Sequence, residues 1–259
     1  MLSMFGFIKK ELDDQGKLPL KWYDIPDSPI IDKCFIYVDA INNTGNGHSN
    51  SATSWKNLVN SSNNGIRVGS PKWQDDALVL SSQGSGYRFA TNKATNITIE
   101  VVFDAQKYAG GPEDNNQTDL SVLVGNDNIG GTRFNIAGDH RVGAISRDAN
   151  VSDYVNINHP SDIQLNTKLY AAYTCGSNRT SITLSSNSYI ASQPFGTLEH
   201  TQSCPWAIGF DPTTKSPWYT DGIVYQFYGK IHSVRVHSRV LTPDEIRKNM
   251  LYERNRYNF

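Results

Sequence analysis

Short apolar or alternating runs bounded by turn residues recur along most of the chain: CFIYVD at 34–39, ALVLS at 77–81, ITIEVVFD at 97–104, LSVLVG at 120–125, TRFNIAG at 132–138, VGAIS at 142–146, KLYAAYTC at 168–175, TSITLSS at 180–186, WAIGF at 206–210 and GKIHSVRVHS at 229–238. That many short strands at near-regular spacing predict an antiparallel sandwich. IEVVF and YAAY are apolar on both sides, as inner strands covered by a second layer must be. In KIHSVRVHS, strict alternation puts Ile231, Ser233, Arg235 and His237 on one face and His232, Val234, Val236 and Ser238 on the other, one face being mostly wet.

One helix is expected, over Thr242–Arg254. Thr242 supplies the N-cap, Pro243 the first helical position and Glu245 a capping box. Ile246, Met250 and Tyr257 form its inward stripe. Residues 1–30 carry Leu2, Met4, Phe5, Phe7, Ile8, Leu12 and Trp22 without a period that would close a core. They read as an N-terminal arm that either anchors the chain to another protein or folds back as an edge strand, leaving 31–259 as the domain.

Composition narrows the function. Of 259 residues, 19% are charged and the net charge is −1; the longest basic run is Lys9 and Lys10, so a nucleic-acid footprint is excluded. Cys34, Cys175 and Cys204 fit neither a disulfide framework nor a zinc spacing and read as reduced, buried thiols. The start lacks the pattern of a signal peptide, and no apolar run is long enough to span a bilayer. The sequons at Asn42, Asn60, Asn96, Asn116, Asn150 and Asn178 follow from an Asn-, Ser- and Thr-rich composition.

Candidate chemistry lies in the loops. Sugar recognition uses aromatic faces together with planar amides and charged groups. The segment GFDPTTKSPWYTDGIVYQFYG supplies Trp218, Tyr219, Tyr225 and Tyr228 beside Asp211 and Asp221, and AGDHRVG supplies Asp139, His140 and Arg141. Trp218 and Tyr219 equally suit covering the sandwich edge or a neighbouring subunit. For hydrolysis, Glu100 and Asp104 share a strand face but would stand roughly 13 Å apart, too far for a retaining pair, and read as a structural polar pair at a strand end. The six histidines never pair at transition-metal spacing; His48 is expected to hydrogen-bond its own loop backbone.

Two quoted stretches carry a family resemblance. DAINNTGNGHSNSATSWKNLVNSSNNGIRVGSPKWQDDALVLSSQGSGYRFA, followed by NITIEVVFD, resembles the opening of laminin-G-like, concanavalin A-like jelly-roll domains. YGKIHSVRVHSRVLTPDEIRKNMLYER is similar to their closing strand and helix. The resemblance implies an all-β jelly roll from about residue 31 to the end, with Trp55 and Trp73 plugging loops onto the core. ITIEVVFDAQ departs from the E-x-D-x-E strand of the family's hydrolases, so a non-catalytic protein is expected. Calcium, which such domains often bind, would find oxygen donors among Asp39, Asn42, Asn43, Asp75, Asp76, Asp139 and Asp221, with Asp39 the leading candidate; otherwise no cofactor is expected. The DA-x-N-N-T-G-x-G-H-S variant resembles modules on phage and prophage structural proteins of Gram-positive bacteria. It implies a virion-surface or tail protein, assembled in the bacterial host cytoplasm as an oligomer, held to other virion proteins through its arm and attaching to host polysaccharide. The alternatives are a purely structural decoration protein and a glycan-cleaving enzyme.

Overall fold

The structure, a computed structural model, describes residues 26–90, 92, 94–108, 120–126, 131–147, 154–176, 179–185, 187–191, 205–212 and 225–259. Its strands are β1 (Cys34–Asp39), β2 (Ser54–Trp55), β3 (Gly65–Val68), β4 (Lys72–Gln74), β5 (Ala77–Leu80), β6 (Gly86–Phe89), β7 (Ile97–Ala105), β8 (Leu120–Gly125), β9 (Thr132–Ala137), β10 (Arg141–Arg147), β11 (Tyr154–Asp162), β12 (Lys168–Gly176), β13 (Arg179–Leu184), β14 (Asn187–Ala191), β15 (Trp206–Ile208) and β16 (Gly229–His237); one helix, α1 (Pro243–Tyr257), follows.

They pair antiparallel into two sheets. The first runs β14-β13-β12-β7-β16-β5-β4, with β1 also on β16; the second runs β11-β10-β9-β8-β15-β6-β3-β2. All ten quoted apolar runs are strands, and the expected sandwich is the observed fold. Between the sheets lies one core that includes Ile36, Phe103, Phe134, Tyr173, Trp206 and Phe227.

The polar loop after β1 is closed as its composition requires. Trp55 is fully buried, donates from Nε1 to the Asp39 carbonyl at 3.2 Å, and meets Trp73 edge-on at 5.1 Å between ring centroids. His48 bridges the loop, with Nδ1 2.7 Å from the Ala40 carbonyl and Nε2 2.8 Å from Asn50 Oδ1. Asn43 is buried and reaches Ser49 in both directions, so the loop's backbone groups are satisfied from within.

The helix has its expected start: Thr242 accepts from Glu245 N, and the Glu245 side chain accepts from Thr242 N. It runs on to Tyr257, where Asn258 in the left-handed region caps it. Its inward stripe differs from expectation. The buried residues are Ile246, Asn249, Glu253 and Tyr257, with Met250 only partly covered, because the surface beneath is partly ionic.

That surface is the outer face of the first sheet, and it corrects the reading of β16 as half wet. A register shift between Ile231 and Ser233 breaks the strict alternation and puts Ile231 with Val234 and Val236 in the inter-sheet core. Ser233, Arg235 and His237 face outward yet are buried, because α1 lies over them. Glu100 is likewise not at a strand end: it sits mid-strand in β7, opposite Ala172 on one side and Arg235 on the other. It accepts from Tyr170 OH, from Arg235 Nε at 3.0 Å and from Asn249 Nδ2 at 2.9 Å, with His237 Nε2 3.1 Å away. Burial alone would raise this carboxyl, but the Arg235 guanidinium and His237 hold it down to about 2. Arg235 also pairs with Glu253 of the helix, which ties α1 to the sheet through one shared guanidinium.

Candidate functional site

The outer face of the second sheet carries a different chemistry. Phe134 and Ile136 of β9, Val142 and Ala144 of β10, and Val155 and Ile157 of β11 point into the core, so the residues between them point outward. Strand register sets these in cross-strand rows. Arg141 stands opposite Asp162; Gly143 lies between Asn158 and Asn135; Ile145 lies between Asn156 and Arg133. The last row continues through Gly125, Ala207, Arg88 and Ile66 to Ser54.

At the centre of the amide row, a glycine leaves room for two carboxamides. A Cβ on Gly143 would stand 2.2 Å from Asn158 Oδ1 and 3.4 Å from Asn135 Nδ2, so two carboxamides share the space over one residue without a side chain. Asn135 is buried, and among the described residues its Oδ1 has no hydrogen-bond donor. An unmet acceptor of this kind costs about 1–3 kcal/mol.

The sequence candidates fall around this row. Asp139, His140 and Arg141 form the β9–β10 turn, and Arg141 reaches Asp162 Oδ1 at 3.4 Å and Asp139 Oδ2 at 3.8 Å in half-exposed pairs. His140 adopts φ +70° and stacks on Tyr108 with ring centroids 3.8 Å apart. Asp211 is buried and pairs with Arg133 at 3.4 Å, and the Arg133 guanidinium lies 5.3 Å from the centre of the Tyr225 ring. Arg133, Asp211 and Tyr225 thus form one group, and the turn triad stands at the β9–β10 end of the sheet. Tyr228 lies apart from them, under Lys107 at 5.1 Å. Trp218, Tyr219 and Asp221 lie outside the described residues, as does Cys204.

Asn135, Asn158 and Gly143 were not among the sequence candidates. In VGAIS and TRFNIAG, Gly143 and Asn135 read as ordinary strand positions, and Asn158 lies outside every apolar run; only pairing in register makes them neighbours.

Asp39 does not fit calcium. Its Oδ1 accepts from Ile41 N at 2.9 Å and Tyr257 OH at 2.9 Å, and the Arg256 guanidinium pairs with Oδ2 where a cation would stand. Asn42 and Asn43 spend their side-chain oxygens on Gly47 N and Ser49 N. Asp76 pairs with Lys168 at 2.8 Å. Among the described residues no group of three or more His, Cys, Asp or Glu side chains is arranged to hold a metal ion. No described helix is long and apolar enough to cross a membrane.

No protein-family model and no curated protein sequence matches the chain. Solved structures do. Trypanosoma rangeli sialidase, in complex with a difluorinated nononic acid, is 13% identical with a TM-score of 0.57, over 92% of this chain and 34% of the sialidase. The chain thus spans about a third of the sialidase's length. Domain 4 of a GH43 extracellular arabinanase from Geobacillus stearothermophilus, in complex with arabinotriose, is 15% identical with a TM-score of 0.57, over 85% of this chain and 98% of that domain. At these identities the likeness is one of fold.

Proposed function

We propose that this chain is a non-catalytic carbohydrate-binding module whose binding surface is the outer face of the second sheet. The observation that carries the reading is the partly exposed Asn158 carboxamide held over Gly143 against Asn135, beside the half-exposed Arg141–Asp162 pair. The Asn158 carboxamide beside Arg141 and Asp162 suits the alternating donors and acceptors of a pyranose edge, and the covered Asn135 shares the space that positions it. The fold is one that, in the arabinanase domain, was solved with an oligosaccharide.

Glu100 and Asp104 offer no support for hydrolysis. Glu100 is fully buried beneath α1 and held ionised by Arg235, so it has neither a proton to give nor a substrate face. The virion or tail setting, with the arm docked on another virion protein and host polysaccharide as the ligand, rests on the sequence resemblance alone.

The test is binding of the full chain to a glycan array, followed by titration calorimetry on the best oligosaccharide. Asn135→Ala and Asn158→Ala are each expected to weaken binding about three- to tenfold with little change in melting temperature. Gly143→Val, which drives a branched side chain into Asn158 Oδ1, should abolish it. Binding that survives all three substitutions rules this face out. Sugar released from bacterial wall polysaccharide by the purified chain would favour the enzyme reading suggested by the sialidase fold.

A further inference from the structure

Arg133, Arg141 and Arg235 of the sheets, and Arg239 and Arg256 beyond them, each have a carboxylate partner: Asp211, Asp162, Glu100, Glu245 and Asp39 respectively. Arg67 on β3 has no carboxylate but donates to the Pro71 carbonyl at 3.1 Å. Arg88 is half-buried on β6 and its Nε is fully covered, yet among the described residues its side chain has neither an ion pair nor a hydrogen bond. Tyr87 and Phe89 on either side fill the core, which turns Arg88 to the outer face of the second sheet.

Its neighbours in the row are small or apolar. Ala207 lies on one side with Gly125 beyond it, and Ile66 lies on the other, 71% exposed. Described residues expose only one other large apolar side chain, Ile31. Only Nε is covered, so the terminal nitrogens of the guanidinium stay accessible and without a partner among the described residues, and their planar edge matches a carboxylate. Ile66 alongside offers a dry contact to an apolar substituent on the same ligand.

We propose that Arg88 and Ile66 form an acidic-sugar subsite, in which the guanidinium binds the carboxylate of an anionic saccharide and Ile66 packs against its apolar part. The inference rests on the reading of this face as a glycan-binding surface and deepens it. Asn135 and Arg88 are three strand spacings apart across β9, β8, β15 and β6 and two residues apart along the strands, roughly 16 Å at about 4.8 Å per spacing and about 3.4 Å per residue. One oligosaccharide could therefore place neutral residues on the amide row and its acidic residue on Arg88.

The experiment follows the arginine Nε–Hε resonances of the full chain, labelled with 15N-arginine, during titration with sodium glucuronate, glucose or glucose 6-sulfate at constant ionic strength. The Arg88 signal is assigned by its loss in Arg88→Lys. A saturable shift of that one resonance with glucuronate, and none with glucose, is expected. Arg88→Lys, which keeps the charge but not the fork, should bind glucuronate at least about tenfold more weakly by calorimetry, and Ile66→Ser should weaken it without changing the fold. No shift, equal shifts of all arginines, a response to the sulfate alone, or unchanged affinity in Arg88→Lys would each overturn the subsite. The two readings separate cleanly. If neutral oligosaccharides bind and lose affinity in Asn135→Ala while Arg88 stays silent, the amide face stands and the acidic subsite falls. If Arg88 answers glucuronate saturably while no neutral oligosaccharide binds, the subsite stands and the amide row is not a sugar site.

Discussion

His232 shows how one side chain sets a pH limit on the whole fold. It sits at the register shift of β16, buried, with Nδ1 2.7 Å from the Asp76 carbonyl, Nε2 without a hydrogen-bond partner among the described residues and the Tyr257 ring 5.3 Å away. Burial, helped by Lys168 and Lys230 and opposed by Asp76, pushes the imidazole from 6.5 down to about 4. The folded chain therefore refuses a proton that the unfolded chain accepts, so stability is full above about pH 6.5 and declines as pH falls toward 4. The decline from this residue should be about 2 kcal/mol between pH 7 and pH 5. Urea unfolding at the two pH values checks it: His232→Gln should be less stable at pH 7 but should flatten the difference by about that amount. An equal slope in the variant would assign the acid sensitivity elsewhere. Glu100 acts in a lower window, because a carboxyl held at about 2 adds stability that is present above about pH 4.5 and lost only below it.

At the scale of elements, what the sequence declared depended on whether a local pattern was sufficient. Ten strands with apolar or alternating runs were legible, and so was the helix start, since a capping box is a contiguous signal. β2, β3, β4 and β6 are two to four residues long, too short for a period to emerge. β11, interrupted by Asn156, Asn158 and Pro160, shows no clean apolar run; Pro160 is tolerated because β11 is the edge of its sheet. The outward face of β16 was misread because burial by a helix far along the chain leaves no mark on local alternation. The candidate site divides the same way: Asp211, Tyr225 and Arg141 stood out as loop chemistry, whereas Asn135, Asn158 and Arg88 acquire meaning only through register. Thr242 gives the element its own test. Thr242→Ala should cost about 1 kcal/mol in chemical denaturation, since one cap bond is lost while the Arg239–Glu245 pair remains. A loss near zero would mean that tertiary packing alone fixes where α1 begins.

The whole molecule closes around its thiols and its entry segment. Cys34 is pushed up to about 12, mainly by burial, and Cys175 is raised for the same reason. Both should resist iodoacetamide at pH 8 in the folded protein, with all three cysteines alkylated once it is unfolded, as intact mass would show. A disulfide found under non-reducing conditions would contradict this. The boundary placed at residue 30 can be probed in the same spirit. Ile30 N donates to Asn249 Oδ1 at 2.7 Å, and its side chain packs on the cluster of Val102, Tyr170, Leu241, Ile246 and Tyr257. Asn249 in turn donates to Glu100, so the last residues before β1 are wired into the charge cluster beneath the helix. Removing residues 1–25 should leave the melting temperature within about a degree and impair only attachment to a partner assembly, if the arm is an anchor. Removing residues 1–30 should in addition unmeet Asn249 Oδ1 and uncover the helix seam, for about 1–3 kcal/mol. If the shorter deletion is as damaging as the longer, the arm contributes to the domain's own core and the anchor reading fails.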